Sequence, residues 1–167
     1  MDRTANRLIK KLKEKNLCLA LAESMTCGLA AHRLSGCPGV ADVFMGSIIC
    51  YSPSVKTNLV GVAENTIKKY SAESEQVTDA LAIKLRRVLK ADIYAAITGL
   101  AAPGGSETKE KPVGTTFLSV YHNKKVYSKR KLFRGSPLEI RKKACDALYE
   151  LILDCIRTEK KQKTKRT

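Results

Sequence analysis

The 167-residue sequence has no tryptophan, three phenylalanines and two histidines. So few aromatic side chains give little for nucleic-acid bases to stack on. Neither His32 nor His122 stands at ligand spacing from a cysteine, and the cysteines at 18, 27, 37, 50, 145 and 155 form no CxxC pair, so no metal is expected. Cys18 and Cys50 sit in apolar runs and Cys145 and Cys155 on an apolar helix stripe, which reads as buried small hydrophobes. No apolar run approaches the roughly 20 residues of a membrane span. With no signal-peptide pattern at its start, the chain reads as cytoplasmic and reduced, and no membrane association is expected.

What is present fits one globular domain: 44% hydrophobic and 28% charged residues, with a net charge of +15. The charge is unevenly placed. Residues 1–16, 124–134 and 157–167 account for all of it, so the core carries none. A concentrated positive field attracts anions, from a small substrate to a nucleic acid. The missing aromatics make nucleic acid the weaker reading, testable by its salt dependence. Residues 1–157 are expected to form the domain and 158–167 a basic disordered tail. The sequence leaves a homo-oligomer open.

Apolar spacing at Ala5, Leu8, Ile9 and Leu12 predicts a helix over 2–15. Leu17–Ala22 reads as a buried strand, followed by a helix to about Ser35. Val43–Tyr51 reads as a second buried strand, and Ser52-Pro53 starts a short helix ended by Gly61. Asn65–Tyr70 predicts a helical turn, and Ser74 caps a helix with Val77, Leu81, Leu85 and Val88 inward. A strand over 92–98, a mobile loop over 106–112 and a hairpin turning at His122-Asn123-Lys124 follow. Ser136, Pro137 and Glu139 open the last helix with a capping box. Helices alternating with strands, plus one hairpin, predict an α/β fold: a single-domain three-layer α/β/α sandwich with a mixed sheet.

In such folds ligands bind beyond strand ends, where 23–28, 51–56 and 98–105 carry polar or glycine-rich residues. Ser24 follows a strand and precedes a helix, so it is either a nucleophile beside oxyanion-stabilising helix N–H groups or, like Thr26, only a helix cap. A serine nucleophile needs a base, and His32 falls about two turns into the helix. A lysine serves only if burial lowers its pKa from ~10.4. Lys56, at the end of the second strand, is the best placed; the other reading is a solvated lysine. Tyr51 ends the same strand and either assists with its phenol or marks a boundary. Thr98–Gly105 is either a phosphate-binding turn or a plain one. Arg141, beside the apolar stripe of the last helix, either reaches for a phosphate or snorkels past the core edge.

Together these segments resemble the CinA C-terminal-domain family. Ala22–Gly28 (AESMTCG) is similar to its A-E-S-C-T-G-G, and Gly46 with Tyr51–Lys56 to G-x-x-x-Y-S-N-x-x-K. Ser74–Val77 matches the S-E-x-V of V-S-E-x-V, Thr98–Gly105 resembles T-G-I-A-G-P-G-G, and Lys111–Thr115 reads K-P-V-G-T. The resemblance runs from about residue 5 to 155. It implies a domain that deamidates nicotinamide mononucleotide, with Ser24 as nucleophile, Lys56 as base and Tyr51 assisting. Thr26, Gly28, Thr98, Gly99, Gly104, Gly105 and Arg141 would bind the nucleotide, and no cofactor is implied. Cys27 and Ala102 replace glycines of the pattern, where a Cβ opposes positive φ or close approach of substrate. A member that binds a nucleotide or protein partner without turnover is the alternative.

Overall fold

The computed structural model describes the backbone of residues 2–163 and the side chains as far as Arg157. Helix α1 (Arg3–Lys15) is capped by Asp2, whose carboxylate accepts the Ala5 N–H, and it buries Ala5, Leu8, Ile9 and Leu12. Each buried leucine contributes about 2 kcal/mol of transfer free energy. Then follow β1 (Leu19–Glu23), α2 (Leu29–Ser35), β2 (Phe44–Ile49) and α3 (Pro53–Val55), which passes directly into a π-helical turn, Lys56–Val60. Next come α4 (Glu64–Tyr70), α5 (Glu75–Lys84), β3 (Ile93–Gly99), β4 (Thr115–His122), β5 (Lys125–Leu132) and α6 (Pro137–Lys163).

The five strands lie in the order β2-β1-β3-β4-β5. β1 runs parallel to both β2 and β3, and β4 and β5 continue the sheet antiparallel. Asn123 and Lys124, with φ of 47° and 62°, turn the β4–β5 hairpin in the mirror-image conformation that suits strand twist. Period-two alternation divides the core. Leu19, Leu21, Ile93, Ala95 and Ile97 face α1 and α6, whereas Ala20, Ala22, Tyr94 and Ala96 face α5. The α/β/α sandwich with a mixed sheet is the fold expected from the sequence.

Four local expectations change. β2 is not a buried strand but an edge strand, with Met45 and Ile49 each 48% exposed, because only β1 pairs with it. The segment 158–167 is not all disordered: α6 continues to Lys163, since Arg157–Lys163 holds good helix formers and no glycine or proline. Residues 164–167 lie outside the described residues. Cys18 is only half-buried and Cys27 is exposed, while Cys37, Cys50, Cys145 and Cys155 are buried and all six are free thiols. The loop 106–112 is tied down rather than loose. Lys111 Nζ donates to Ser71 Oγ (2.7 Å), Ser106 Oγ (2.9 Å) and the Glu73 carbonyl (3.1 Å). No described helix is long and apolar enough to cross a membrane.

Candidate active site

Strand order reverses at β1: the chain leaves β1 for β2 on one side and returns to β3 on the other. This switch point opens a crevice beyond the carboxyl ends of β1 and β3. A cleft of about 280 Å³ lies there, walled by Ser24, Tyr51, Glu73, Arg141 and the loop Gly99 to Gly105.

Ser24 follows β1 directly and is 5% exposed. Lys56, 32 residues further on, is completely buried, and its Nζ lies 2.9 Å from Ser24 Oγ. The same amine donates to the carbonyls of Cys50 (2.5 Å) and Tyr51 (3.2 Å). Carbonyls only accept, so they hold two N–H bonds in either protonation state. The hydroxyl can accept from an ammonium or donate to a neutral amine. The cage therefore fits neutral Lys56 as completely as charged Lys56, with Ser24 O–H aimed at the amine lone pair. No carboxylate forms an ion pair with Lys56 among the described residues. Its pKa is lowered by burial, against smaller opposing influences from Cys50 and Glu73.

The turn carrying Ser24 is fixed by its neighbour. The fully buried Glu23 carboxylate accepts from Thr26 Oγ1 (2.8 Å), Ser47 Oγ (2.9 Å) and the N–H groups of Gly28 (3.0 Å), Ala30 (3.0 Å) and Ala31 (2.9 Å). This corrects two expectations. Neither Ser24 nor Thr26 caps α2; Gly28, at φ +91°, precedes it, and a carboxylate at the positive helix end takes its first N–H groups. Those groups are consequently not available to an oxyanion at Ser24. The Met25 N–H, next in the chain after Ser24, makes no hydrogen bond among the described residues.

The residues expected to bind substrate separate into two sets. Gly99, Gly104, Gly105 and Arg141 line the cleft. Thr26, Gly28 and Thr98 do not, because their polar groups are used internally. Thr26 and Gly28 bond Glu23, and Thr98 Oγ1 meets Thr78 Oγ1 at 2.8 Å. Gly99 has no room for a side chain: at φ +153°, a Cβ would lie 2.4 Å from the Thr115 carbonyl and 2.6 Å from Met25 Sδ. Tyr51 stands on the cleft rim, 63% exposed. Arg141 is half-buried, with its Nε buried and without a hydrogen-bond partner among the described residues. His32 is exposed on α2, and His122 bonds the Asp92 carbonyl at the opposite end of the sheet.

The replaced glycines leave this geometry intact. Cys27 adopts φ 50° with an exposed side chain, a left-handed strain of about 1 kcal/mol. Ala102 is exposed and has no positive φ.

Sequence reasoning missed the anchoring role of Glu23, although a carboxyl group ending an apolar strand signals a buried acceptor. It also missed Glu107, which accepts the N–H groups of Gly104 (2.7 Å) and Gly105 (2.8 Å). These bonds, with the Gly104 N–H foremost, hold the Glu107 carboxyl below its usual range. The glycine turn is thus an oxyanion seat already filled by a carboxylate. If phosphate takes the same seat, Glu107→Ala tightens inorganic phosphate binding several-fold by calorimetry. An unchanged Kd would show that phosphate sits elsewhere.

The family model of the CinA C-terminal domain matches residues 1–156. A competence-damage inducible protein of Clostridioides difficile is 41% identical over 143 residues, covering 85% of this chain and 34% of its own. A CinA-like protein of Petrotoga mobilis is 35% identical over 151 residues, covering 90% of this chain and 37% of its own. The chain spans about a third of the length of these relatives. Among solved structures, the competence/damage inducible protein of Agrobacterium tumefaciens superposes with a TM-score of 0.85 at 28% identity, covering 92% of this chain and 93% of that one. A CinA superfamily protein of Enterobacter cloacae gives 0.85 at 28% identity, with 93% and 94% covered. With residues 1–156 matched and the fold shared, the chain belongs to the CinA C-terminal domain family.

Proposed function

We propose that this domain is an amidohydrolase that converts nicotinamide mononucleotide and water to nicotinate mononucleotide and ammonia through an acyl-enzyme on Ser24. The observation that carries the reading is the buried Lys56 amine, 2.9 Å from Ser24 Oγ and free of any carboxylate partner among the described residues.

Neutral Lys56 takes the Ser24 proton as Oγ attacks the carboxamide carbon. The oxygen of the tetrahedral intermediate lies near the Met25 N–H. Collapse breaks the C–N bond, and Lys56 returns its proton to the departing nitrogen, releasing ammonia. Water then attacks the ester, again losing a proton to Lys56, and frees the nicotinate carboxyl and Ser24. Tyr51 closes the rim over the ring. Arg141, whose Nε is buried without a hydrogen-bond partner among the described residues, is suited to the phosphate, and the Gly104–Gly105 seat takes it only if the phosphate displaces Glu107.

The test is incubation of the purified chain with nicotinamide mononucleotide, following ammonia by a coupled assay and nicotinate mononucleotide by chromatography. Equal amounts of both products are expected. Saturable binding without ammonia would replace this reading by a non-catalytic nucleotide-binding domain.

A further inference from the structure

Glu73 is not used by the reaction just described, yet it stands on the wall of the same cleft, half-buried. Its carboxylate accepts from Ser106 Oγ at 2.5 Å, and its carbonyl accepts from Lys111 Nζ at 3.1 Å. The side chain is therefore held in place by the β3–β4 loop. Ser24 lines the same cleft, so Glu73 and the candidate nucleophile share one small space. Arg141 lines the cleft too, but no ion pair joins it to Glu73 among the described residues. One small cleft thus keeps a carboxylate and a guanidinium that do not neutralise each other. The single hydrogen bond from Ser106 leaves further acceptor capacity on the Glu73 carboxylate.

We propose that Glu73 is a specificity-determining residue that reads the positive charge of a pyridinium ring, making the cleft selective for zwitterionic nucleotides. The ring cation faces Glu73 and the phosphate faces Arg141. The inference rests on the reading of Ser24 as the nucleophile for a ring carboxamide. The ring is one bond from the attacked carbon, so a carboxylate on the reacting side meets the ring rather than the ribose. Hydrolysis then places a new carboxylate on that ring, and like-charge repulsion from Glu73 favours product release.

The test separates ring charge from shape. Nicotinamide mononucleotide is compared with its neutral-ring isostere, a benzamide joined to the phosphoribosyl group by a carbon–carbon bond. Binding is measured by calorimetry on Ser24→Ala, so that no turnover intervenes, with Glu73 present or changed to Gln or Val. Glutamine can still accept the Ser106 hydrogen bond, so a purely structural role survives that change. With Glu73 the cationic nucleotide is expected to bind about tenfold tighter than the isostere. Glu73→Gln and Glu73→Val should erase that preference while leaving the isostere's Kd unchanged. A preference that survives both changes, or equal weakening of both ligands, overturns the inference and leaves the amidase reading standing. Failure of both ligands to bind any form overturns both.

Discussion

Ser24→Ala is expected to abolish ammonia release from nicotinamide mononucleotide, by about 10⁴-fold or more, while the protein remains folded. The magnitude follows from the loss of the attacking atom: among the described residues no other hydroxyl or thiol makes a hydrogen bond with the Lys56 amine. The fold is expected to persist because, among the described residues, Ser24 Oγ makes no hydrogen bond beyond Lys56, whose amine keeps the Cys50 and Tyr51 carbonyls. Loss of one such bond costs about 1 kcal/mol. Thermal unfolding alongside the ammonia assay checks both halves. Turnover within tenfold of the parent chain in a folded variant would remove Ser24 from the mechanism.

Lys56→Met should be nearly as severe, with turnover lower by about 10²–10⁴-fold, the range for loss of a positioned base. Methionine is close in volume and neutral, so it removes the base without burying a fixed charge. Lys56→Arg is the complementary variant: it keeps a charge but has a pKa above about 12 and cannot give up its proton at neutral pH. Both should be inactive, which separates proton transfer from mere positive charge. In the parent chain kcat/KM should rise with pH through the Lys56 pKa, at a midpoint below the usual 10.5 because burial lowers it. Stability has the matching sign. Between that midpoint and 10.5 the unfolded chain binds more protons than the folded one, so stability rises with pH across that window. Below the midpoint the full cost of the buried ammonium is present. A pH–rate limb unchanged in Lys56→Met would assign the titration to another group.

The layers and the strand ends were legible because they depend on local patterns: period-two strands, α1 with its 3–4 spacing, and the Ser136 capping box. Ser24 and Lys56 were named from a family motif and their place at strand ends, although they are separated by 32 residues in the chain. Their contact depends on the β1–β2 pairing, a long-range relation that no window of sequence contains. The same limit explains β2. Its run FMGSII reads as buried, but exposure depends on whether a second strand pairs with its outer side. The family resemblance assigns Thr26, Gly28 and Thr98 to ligand. Inside the fold, Glu23 and Thr78 had already claimed their polar groups. Such competition for hydrogen bonds is decided in three dimensions.

The π-helical turn that begins at Lys56 ties the candidate base to the packing of the fold. Its first and last residues, Lys56 and Val60, are fully buried, and Val60 belongs to the core on the α5 face of the sheet. Opening of this turn would let water reach the amine and return it toward ordinary basicity, and it would expose part of that core in the same event. Packing changes that loosen Val60 are therefore expected to weaken the base along with the α5 side of the sheet.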